Sequence, residues 1–331
     1  MYSLIFCFVS NIILYMKVVI VGYGEMFSSL IAGVMNAGHE IVGVFRHENV
    51  LYSPIKRYLF DRLVPSADRL FVKNLGLYDI KAKSVNSPKF QEEIKRLGAD
   101  IILVCSWSER FSAQTLNTPK IACINTHPSL LPKYRGPNPY TQVILKGEET
   151  SGVTFHLMDV NYDTGAILHQ SETQVSKEDT GLSLKLKCCD IARKEIVNLF
   201  ETFDDKISNP ISQNEKDATY YNQLALGDSI LNFRDETSEE IERRIRALTP
   251  WLNCHIAYKD EFFEFEKYKI FSRKSIKEPS TIVKKSNNSI SIVCKDNKII
   301  EFSGLKLKRP IAKYFTGLYL KHFVDINSKV R

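Results

Sequence analysis

Closely spaced cysteine motifs, compositional bias and long apolar spans are all missing from this 331-residue chain, and each absence excludes a class of protein. The seven cysteines form no C-x-x-C motif, so we expect neither a disulfide framework nor a metal site. Most of them lie in apolar runs such as Ile101–Cys105, which indicates buried free thiols and a reducing, cytoplasmic location. With 44% apolar and 25% charged residues, the chain is neither collagenous, nor low in complexity, nor mainly disordered.

The apolar N-terminus falls short of a membrane span. Residues 1–15 carry no charge, but a transmembrane helix needs roughly 20 apolar residues. They also lack the basic region and the small-residue cleavage site of a signal peptide. We interpret residues 1–15 as an extension upstream of Met16 and expect no stable membrane association. A membrane anchor is the alternative interpretation.

The glycine pair Gly22-x-Gly24 follows an apolar strand pattern but lacks the rest of a dinucleotide-binding fingerprint. Position 27 is Phe where that fingerprint has its third glycine. Arg46 and His47 end the second strand, where an acidic ribose ligand would stand. The pair therefore predicts a plain turn between a strand and a helix.

The chain predicts two domains of different character. Strand and helix patterns alternate over residues 16–203, which predicts an open, parallel-sheet, Rossmann-like α/β domain. Residues 204–218 are polar and are interpreted as a linker. Short alternating strands over residues 219–331 predict a small OB-like β-barrel, a fold that often binds nucleic acid. Residues 267–331 hold 16 Lys/Arg against 4 Asp/Glu, a net +12, which favours a polyanionic partner.

Three polar residues have one coherent chemical role. Asn125 and His127 are two positions apart at the end of a predicted strand, so their side chains point to the same face. Asp163 follows 36 residues later in a turn that ends at Gly165. An amide can donate to a developing oxyanion, an imidazole can move a proton, and a carboxylate can fix the tautomer of the ring.

The motifs around these residues resemble those of folate-dependent formyltransferases. The segments are Asn125-x-His127-x-Ser129-Leu-Leu-Pro132-x-x-Arg135-Gly136, Ser151-Gly-Val-Thr154 and Asp163-Thr-Gly165, in the family's order. The resemblance implies that 10-formyltetrahydrofolate donates the formyl group and that an amine attacks the formyl carbon through a tetrahedral intermediate. It implies a catalytic trio and a folate-contacting stretch. These are Asn125, His127 and Asp163 for the trio, and Ser129, Leu130, Leu131 and Pro132 for the stretch.

The acceptor amine has two main candidates. Arg246-Ala-Leu-Thr-Pro250-Trp251 is similar to the C-terminal domain of methionyl-tRNA formyltransferases, which implies initiator methionyl-tRNA as the partner. Those enzymes usually carry a basic run after the second strand and Ala-Tyr-Gly after the third. This chain has residues 47–58 and Ser106–Arg110 there instead. An amino-sugar nucleotide is therefore the alternative acceptor, and a nucleic-acid-binding protein without catalysis is a third hypothesis.

Overall fold

A computed structural model describes residues 15–47, 65–309 and 312–330. The predicted N-terminal extension lies outside the described residues except for Tyr15, and most of segment 47–58 does so too. The chain divides into two compact units. The first comprises residues 1–135, 152–172 and 186–219, and the second comprises residues 136–151, 173–185 and 220–331.

A six-stranded sheet organises the first unit. Its strands are β1 (Lys17–Gly22), β2 (Glu40–Arg46), β3 (Ile101–Val104), β4 (Ala122–His127), β5 (Thr150–Leu157) and β6 (Ile167–Gln174). They lie in the order β2-β1-β3-β4-β5-β6. The first four pair in parallel, as the Rossmann-like prediction requires, whereas β5 pairs antiparallel with β4. The open α/β sheet is thus confirmed and is mixed rather than wholly parallel.

Local capping residues set the ends of several helices. The helices are α1 (Gly24–Asn36), α2 (Ala67–Asn74), α3 (Pro88–Leu97), α4 (Ala113–Leu116), α5 (Pro139–Lys146), α6 (Gly181–Glu201) and α7 (Phe203–Ser208). In α3 the Ser87 side chain accepts from the N–H of Phe90, and Gly98 ends the helix at φ +65°. Helix α7 occupies the first part of the segment interpreted as a linker. Helix α2 is short and polar, and the Ser66 side chain caps it by accepting from the N–H of Arg69.

Apolar packing covers the sheet of the first unit. Phe90 and Ile94 of α3 lie in one buried cluster with Val19 and Val21 of β1. Helices α1 and α6 touch at Gly33, where an added Cβ would lie 2.3 Å from Cγ2 of Ile196. This close contact requires glycine, since any side chain would separate the two helices.

Antiparallel strands and one capped helix form most of the second unit. Strands β9 (Lys267–Lys274), β10 (Ile282–Lys285), β11 (Ser289–Val293) and β12 (Lys298–Ser303) make one sheet, ordered β10-β11-β12-β9. Strands β7 (Ile256–Tyr258), β8 (Glu261–Glu264) and β13 (Lys306–Leu307) make another, and α9 (Thr316–Phe323) follows. The capping box of Thr237 and Glu240 begins α8 (Ser238–Leu248), as predicted. Residues 256–307 thus form seven strands in two antiparallel sheets.

Six cysteines are buried free thiols, as the sequence predicted, and Cys7 lies outside the described residues. Burial raises the pKa of the Cys123, Cys254 and Cys294 thiols to about 12, which keeps them protonated and unreactive at neutral pH. No helix in the described part of the chain is both long and apolar enough to cross a bilayer.

Candidate active site

Strand β4 places Asn125 and His127 at the end of the parallel part of the sheet. Asn125 lies opposite His156 of β5, and His127 lies opposite Thr154. Both predicted residues project to one side of the strand, because their side chains reach the same carboxylate, that of Asp163. The two-residue spacing therefore places both side chains on one face of the strand, as the sequence predicted.

Asp163 brings its carboxylate to this strand end from the turn after β5. Its Oδ1 lies 3.3 Å from Nδ2 of Asn125 and 3.5 Å from Nδ1 of His127. The backbone of Asp163 is left-handed, at φ +57°, a conformation that aspartate tolerates better than most residues. Gly165 approaches the backbone so closely that an added Cβ would lie 1.8 Å from the carbonyl oxygen of Leu157. Glycine is therefore required to bring this turn against β5.

His156 belongs to the same cluster, although the sequence analysis did not single it out. Its Nδ1 lies 2.8 Å from the carbonyl oxygen of Leu157, which can only accept, so Nδ1 carries the proton. Its Nε2 then accepts from Nδ2 of Asn125 at 3.1 Å. Burial lowers the pKa of His156 to about 4, against the opposing effect of Asp163. His156 is a neutral acceptor that orients the Asn125 amide.

His127 is held from its other side by the loop that follows β4. Its Nε2 lies 2.8 Å from the carbonyl oxygen of Tyr134, so this nitrogen donates. Nδ1 therefore faces Asp163 Oδ1, and the ion pair forms when this nitrogen is also protonated. Ser129 donates from Oγ to the carbonyl oxygens of Lys133 (2.8 Å) and Tyr134 (3.4 Å), which folds the loop back toward the ring.

A small cavity opens beside Asn125, His156 and Asp163. Its volume is about 40 Å³, and its other walls come from the segments that follow β3 and β5. The lining residues are Val104, Trp107, Glu109, Arg110, Phe111, Met158, Asp159, Asn161 and Tyr162, together with the three named above. The chemistry of this wall is mixed, with aromatic and apolar surfaces beside carboxylates and amides.

Two aromatic side chains, those of Trp107 and Tyr162, form part of the cavity wall. Trp107 packs against Phe45, with ring centroids 5.5 Å apart, and its Nε1 is buried without a hydrogen-bond partner among the described residues. Tyr162 donates to the carbonyl oxygen of Ser108 at 2.6 Å, and the Arg110 guanidinium lies 4.5 Å from the centre of its ring. These two contacts join the segment after β3 to the turn that carries Asp163.

The structure brings the trio together but gives the predicted folate-contacting stretch other neighbours. Thr154 Oγ1 donates to the carbonyl oxygen of Ser129 (2.6 Å) and accepts from the N–H of Leu131 (3.1 Å). The Leu130 side chain lies near Gly152. The residues given above as the walls of the cavity do not include Ser129–Pro132. Within the described chain, this stretch supports the loop that holds His127, and its contact with folate stays a prediction.

The turn at Gly22 and Gly24 behaves as the sequence predicted. The N–H of Gly24, at the start of α1, donates to Oδ2 of Asp68 at 2.8 Å. A carboxylate therefore occupies the helix N-terminus at which a dinucleotide would place its pyrophosphate. The contact agrees with a structural turn.

Two family models cover most of the chain. The model described as "Formyl transferase" matches residues 16–199, and "Formyl transferase, C-terminal domain" matches residues 224–317. The chain belongs to the formyl transferase family. The predicted enzyme class is thereby confirmed, and the family uses 10-formyltetrahydrofolate as its formyl donor.

Individual relatives point to more than one acceptor. The chain is 27% identical to a methionyl-tRNA formyltransferase from Marinobacter nauticus, over 84% of this chain and 88% of the relative. Among solved structures, it matches the N-formyltransferase from Helicobacter canadensis in complex with folinic acid and dTDP-3-aminofucose. That match has a TM-score of 0.63 at 19% identity and covers 87% of this chain and 99% of the other.

A larger protein shares the fold. HypX from Aquifex aeolicus, in complex with tetrahydrofolic acid, matches with a TM-score of 0.60 at 13% identity. The match covers 95% of this chain, which spans about half the length of HypX. At these identities the two structural matches establish the fold alone.

Proposed function

We propose that this formyltransferase moves the formyl group of 10-formyltetrahydrofolate to the methionyl amine of initiator tRNA, using Asn125, His127 and Asp163. The observation that carries the site assignment is the convergence of Asn125 and His127 on one oxygen, Asp163 Oδ1, at 3.3 and 3.5 Å. The three residues come from two separated segments, so their convergence is a property of the fold rather than of one motif.

Asn125 is proposed to stabilise negative charge on the formyl oxygen. Its two amide hydrogens are directed at His156 Nε2 (3.1 Å) and Asp163 Oδ1 (3.3 Å). We expect the hydrogen on the longer contact to turn toward the formyl oxygen, since catalytic hydrogen bonds often tighten only with substrate. His156 keeps the other hydrogen and fixes the amide plane. A preorganised donor of this kind contributes about 10²- to 10³-fold to turnover.

His127 is proposed to stabilise the developing negative charge, and Asp163 is proposed to accept a proton. Asp163 Oδ1 stabilises a proton on Nδ1 of His127, while the Tyr134 carbonyl fixes the ring through Nε2. A cationic ring beside Asn125 would stabilise the oxyanion further. The carboxylate would receive the proton that the amine loses as it bonds to the formyl carbon, and this proton would pass to the folate nitrogen when its bond to the formyl carbon breaks.

The chemistry of the cavity wall suits one part of a folate. The donor supplies an activated formyl group and presents a flat pterin ring with hydrogen-bonding edges. Trp107 offers a flat wall and a buried, unpartnered N–H among the described residues, and Asn161 and Glu109 offer polar atoms. A volume of about 40 Å³ accommodates only water-sized groups, so folate entry requires the segments joined by Tyr162 and Ser108 to separate.

Basic residues of the second unit support a tRNA acceptor. Strand β9 is an edge strand, and Lys267 and Lys269 are exposed on it at alternate positions of one face, with Arg273 exposed further along the strand. Phe271 lies on the same face, with Nζ of Lys269 5.3 Å from its ring centre. A row of cations with an aromatic ring suits a phosphate backbone and its bases. The relative from Marinobacter nauticus carries the name methionyl-tRNA formyltransferase.

A specific observation keeps an amino-sugar nucleotide as the second candidate. The structure from Helicobacter canadensis, which holds dTDP-3-aminofucose, is matched over 99% of its length. A sugar nucleotide carries few phosphates, so it needs only a small part of the basic face.

The acceptor is tested by supplying 10-formyltetrahydrofolate with methionyl-tRNA and, separately, with amino-sugar nucleotides, at several salt concentrations. We expect formyl-methionyl-tRNA to form, with an affinity that falls steeply as salt rises. Formylation of the sugar nucleotide alone, with little dependence on salt, would overturn the tRNA assignment and support the second candidate. No transfer to either acceptor would refute the proposed function.

A further inference from the structure

Gln213 belongs to the polar segment that the sequence assigned to a linker, yet its side chain reaches the turn that carries Asp163. Its Nε2 donates to the carbonyl oxygens of Asp163 (2.9 Å) and Gly165 (2.7 Å). Both amide hydrogens of Gln213 are therefore directed at this turn. They hold the backbone of the turn on both sides of Thr164, at Asp163 and at Gly165.

Arg135 holds the other end of the same amide. Gln213 Oε1 accepts from Nε (3.2 Å) and Nη2 (2.8 Å) of Arg135. The guanidinium also donates to both carboxylate oxygens of Glu215, at 2.9 and 2.7 Å. The Arg135 side chain is only 7% exposed, whereas that of Glu215 is 69% exposed. Because Arg135 fixes the oxygen of the amide, the nitrogen of Gln213 must face the turn.

The same segment also holds the loop that contacts His127. Thr219 Oγ1 accepts from the N–H of Tyr134 at 2.8 Å, and the Thr219 carbonyl accepts from the N–H of Arg135 at 2.9 Å. The Tyr134 carbonyl in turn accepts from Nε2 of His127. Residues 213–219 are therefore bonded to the supports of both His127 and Asp163.

We propose that Gln213, held by Arg135 and Glu215, is a positioning residue that sets the approach of Asp163 to His127. Asp163 adopts a left-handed backbone, which aspartate tolerates only at some cost in free energy, so a local constraint helps to keep it. The two hydrogen bonds from Gln213 supply that constraint. The proposal rests on the proposed function, because it takes formyl transfer as the reaction and these two residues as its catalytic groups.

A double-mutant cycle tests the proposal. Gln213→Ala removes both hydrogen bonds to the turn and touches no substrate-facing atom. We expect kcat to fall about tenfold or more, with KM for donor and acceptor changed less than about threefold. In an Asp163→Asn background, we expect the same substitution to change kcat less than about twofold, because the carboxylate that Gln213 positions is already lost. Unchanged kcat, or an equal loss in both backgrounds, would overturn the proposal.

Two further variants keep this test decisive. Gln91→Ala removes a buried glutamine elsewhere in the first unit, whose Nε2 donates to Thr115 Oγ1 at 3.0 Å, and it should leave kcat unchanged. If Gln213→Ala does not fold, the cycle is run with Glu215→Ala, which removes an exposed side chain. We then expect kcat to fall about threefold, again only where Asp163 is intact. No loss in that variant would count against the proposal.

A spectroscopic measurement separates this proposal from the acceptor assignment. The ring-nitrogen signals of His127, assigned by His127→Asn in ¹⁵N-histidine-labelled protein, should shift in Gln213→Ala and stay in place in Gln91→Ala. Shifted signals with no transfer by the wild type to either acceptor would refute the proposed function and leave the positioning intact. Unmoved signals would overturn the positioning.

Discussion

The two units of this chain place their polar residues in opposite ways. In the first unit the important groups are few and buried: His127 and His156 are each about 5% exposed or less, and they share one carboxylate. In the second unit the charges are many and exposed, and residues 267–331 carry a net +12. Burial makes each group of the first unit depend on its neighbours, whereas exposed cations act additively through their number. The two units should therefore respond differently to single substitutions.

The largest effect is expected from the buried site. His127→Ala should lower kcat about a thousandfold, because it removes the ring that is proposed to stabilise the oxyanion, together with its contact to Asp163. Single-turnover formyl transfer measures the loss. His169→Ala is the matched control, since His169 pairs with Glu195 at 2.7 Å outside the site. Comparable losses from both substitutions would show that general stability, and not the site, accounts for the effect.

Burial in the second unit should affect stability and not chemistry. Phe302 is fully buried, and its ring lies 4.7 Å from that of Phe265. Phe302→Ala should lower the free energy of unfolding by about 3–5 kcal/mol, through lost burial and a new cavity. Denaturant melts measure this, and Phe262→Ala, at a 39% exposed position, should cost less than about 1 kcal/mol. A kcat lowered at temperatures where Phe302→Ala stays folded would break the comparison.

His156 should give the first unit a pH dependence that the exposed residues do not give. Its pKa is lowered to about 4 in the folded protein and is near 6.5 unfolded, so the unfolded chain binds more protons between these values. Its contribution is complete above pH 6.5 and is lost as the pH falls toward 4, by about 3 kcal/mol. The free energy of unfolding, measured across this range, should fall less steeply with decreasing pH in His156→Gln than in the wild type. The exposed control His322→Gln should follow the wild type, and equal slopes for His156→Gln and wild type would contradict the assignment.

The smallest effect is expected from the exposed cations. Lys267→Glu with Lys269→Glu should weaken methionyl-tRNA binding about tenfold and reduce its salt dependence by the equivalent of about two phosphate contacts. Binding titrations at several salt concentrations measure both quantities. Lys83→Glu with Lys89→Glu makes the same charge change on exposed residues of the first unit. An equal loss in that control would mean that overall charge, and not strand β9, attracts the tRNA.

The same contrast explains what the sequence predicted well. Asn125 and His127 share a face because strand geometry alone fixes the directions of residues two apart. Helices α5 and α8 have local end signals, since Pro139 begins the first, Gly147 ends it, and the capping box at Thr237 begins the second. Six buried free cysteines follow from their apolar neighbours.

The remaining features depend on pairings between distant segments. His156 joins the site because β5 pairs antiparallel with β4, opposite Asn125, and no local pattern encodes that register. Gln213 was assigned to a linker because its neighbours in the sequence are polar. They give no sign of its contacts with the turn that carries Asp163. Strand β10 has little signal of its own, because Ile282–Lys285 is short and ends in two lysines.

We propose that the first unit performs the chemistry and that strand β9 of the second unit binds the acceptor. The decisive measurement compares kcat and KM for methionyl-tRNA in His127→Ala and in Lys267→Glu/Lys269→Glu. We predict that His127→Ala lowers kcat with little change in KM, and that the double charge variant raises KM with kcat unchanged. A charge variant that lowers kcat as His127→Ala does, or a His127→Ala enzyme with full kcat, would rule out this division of roles.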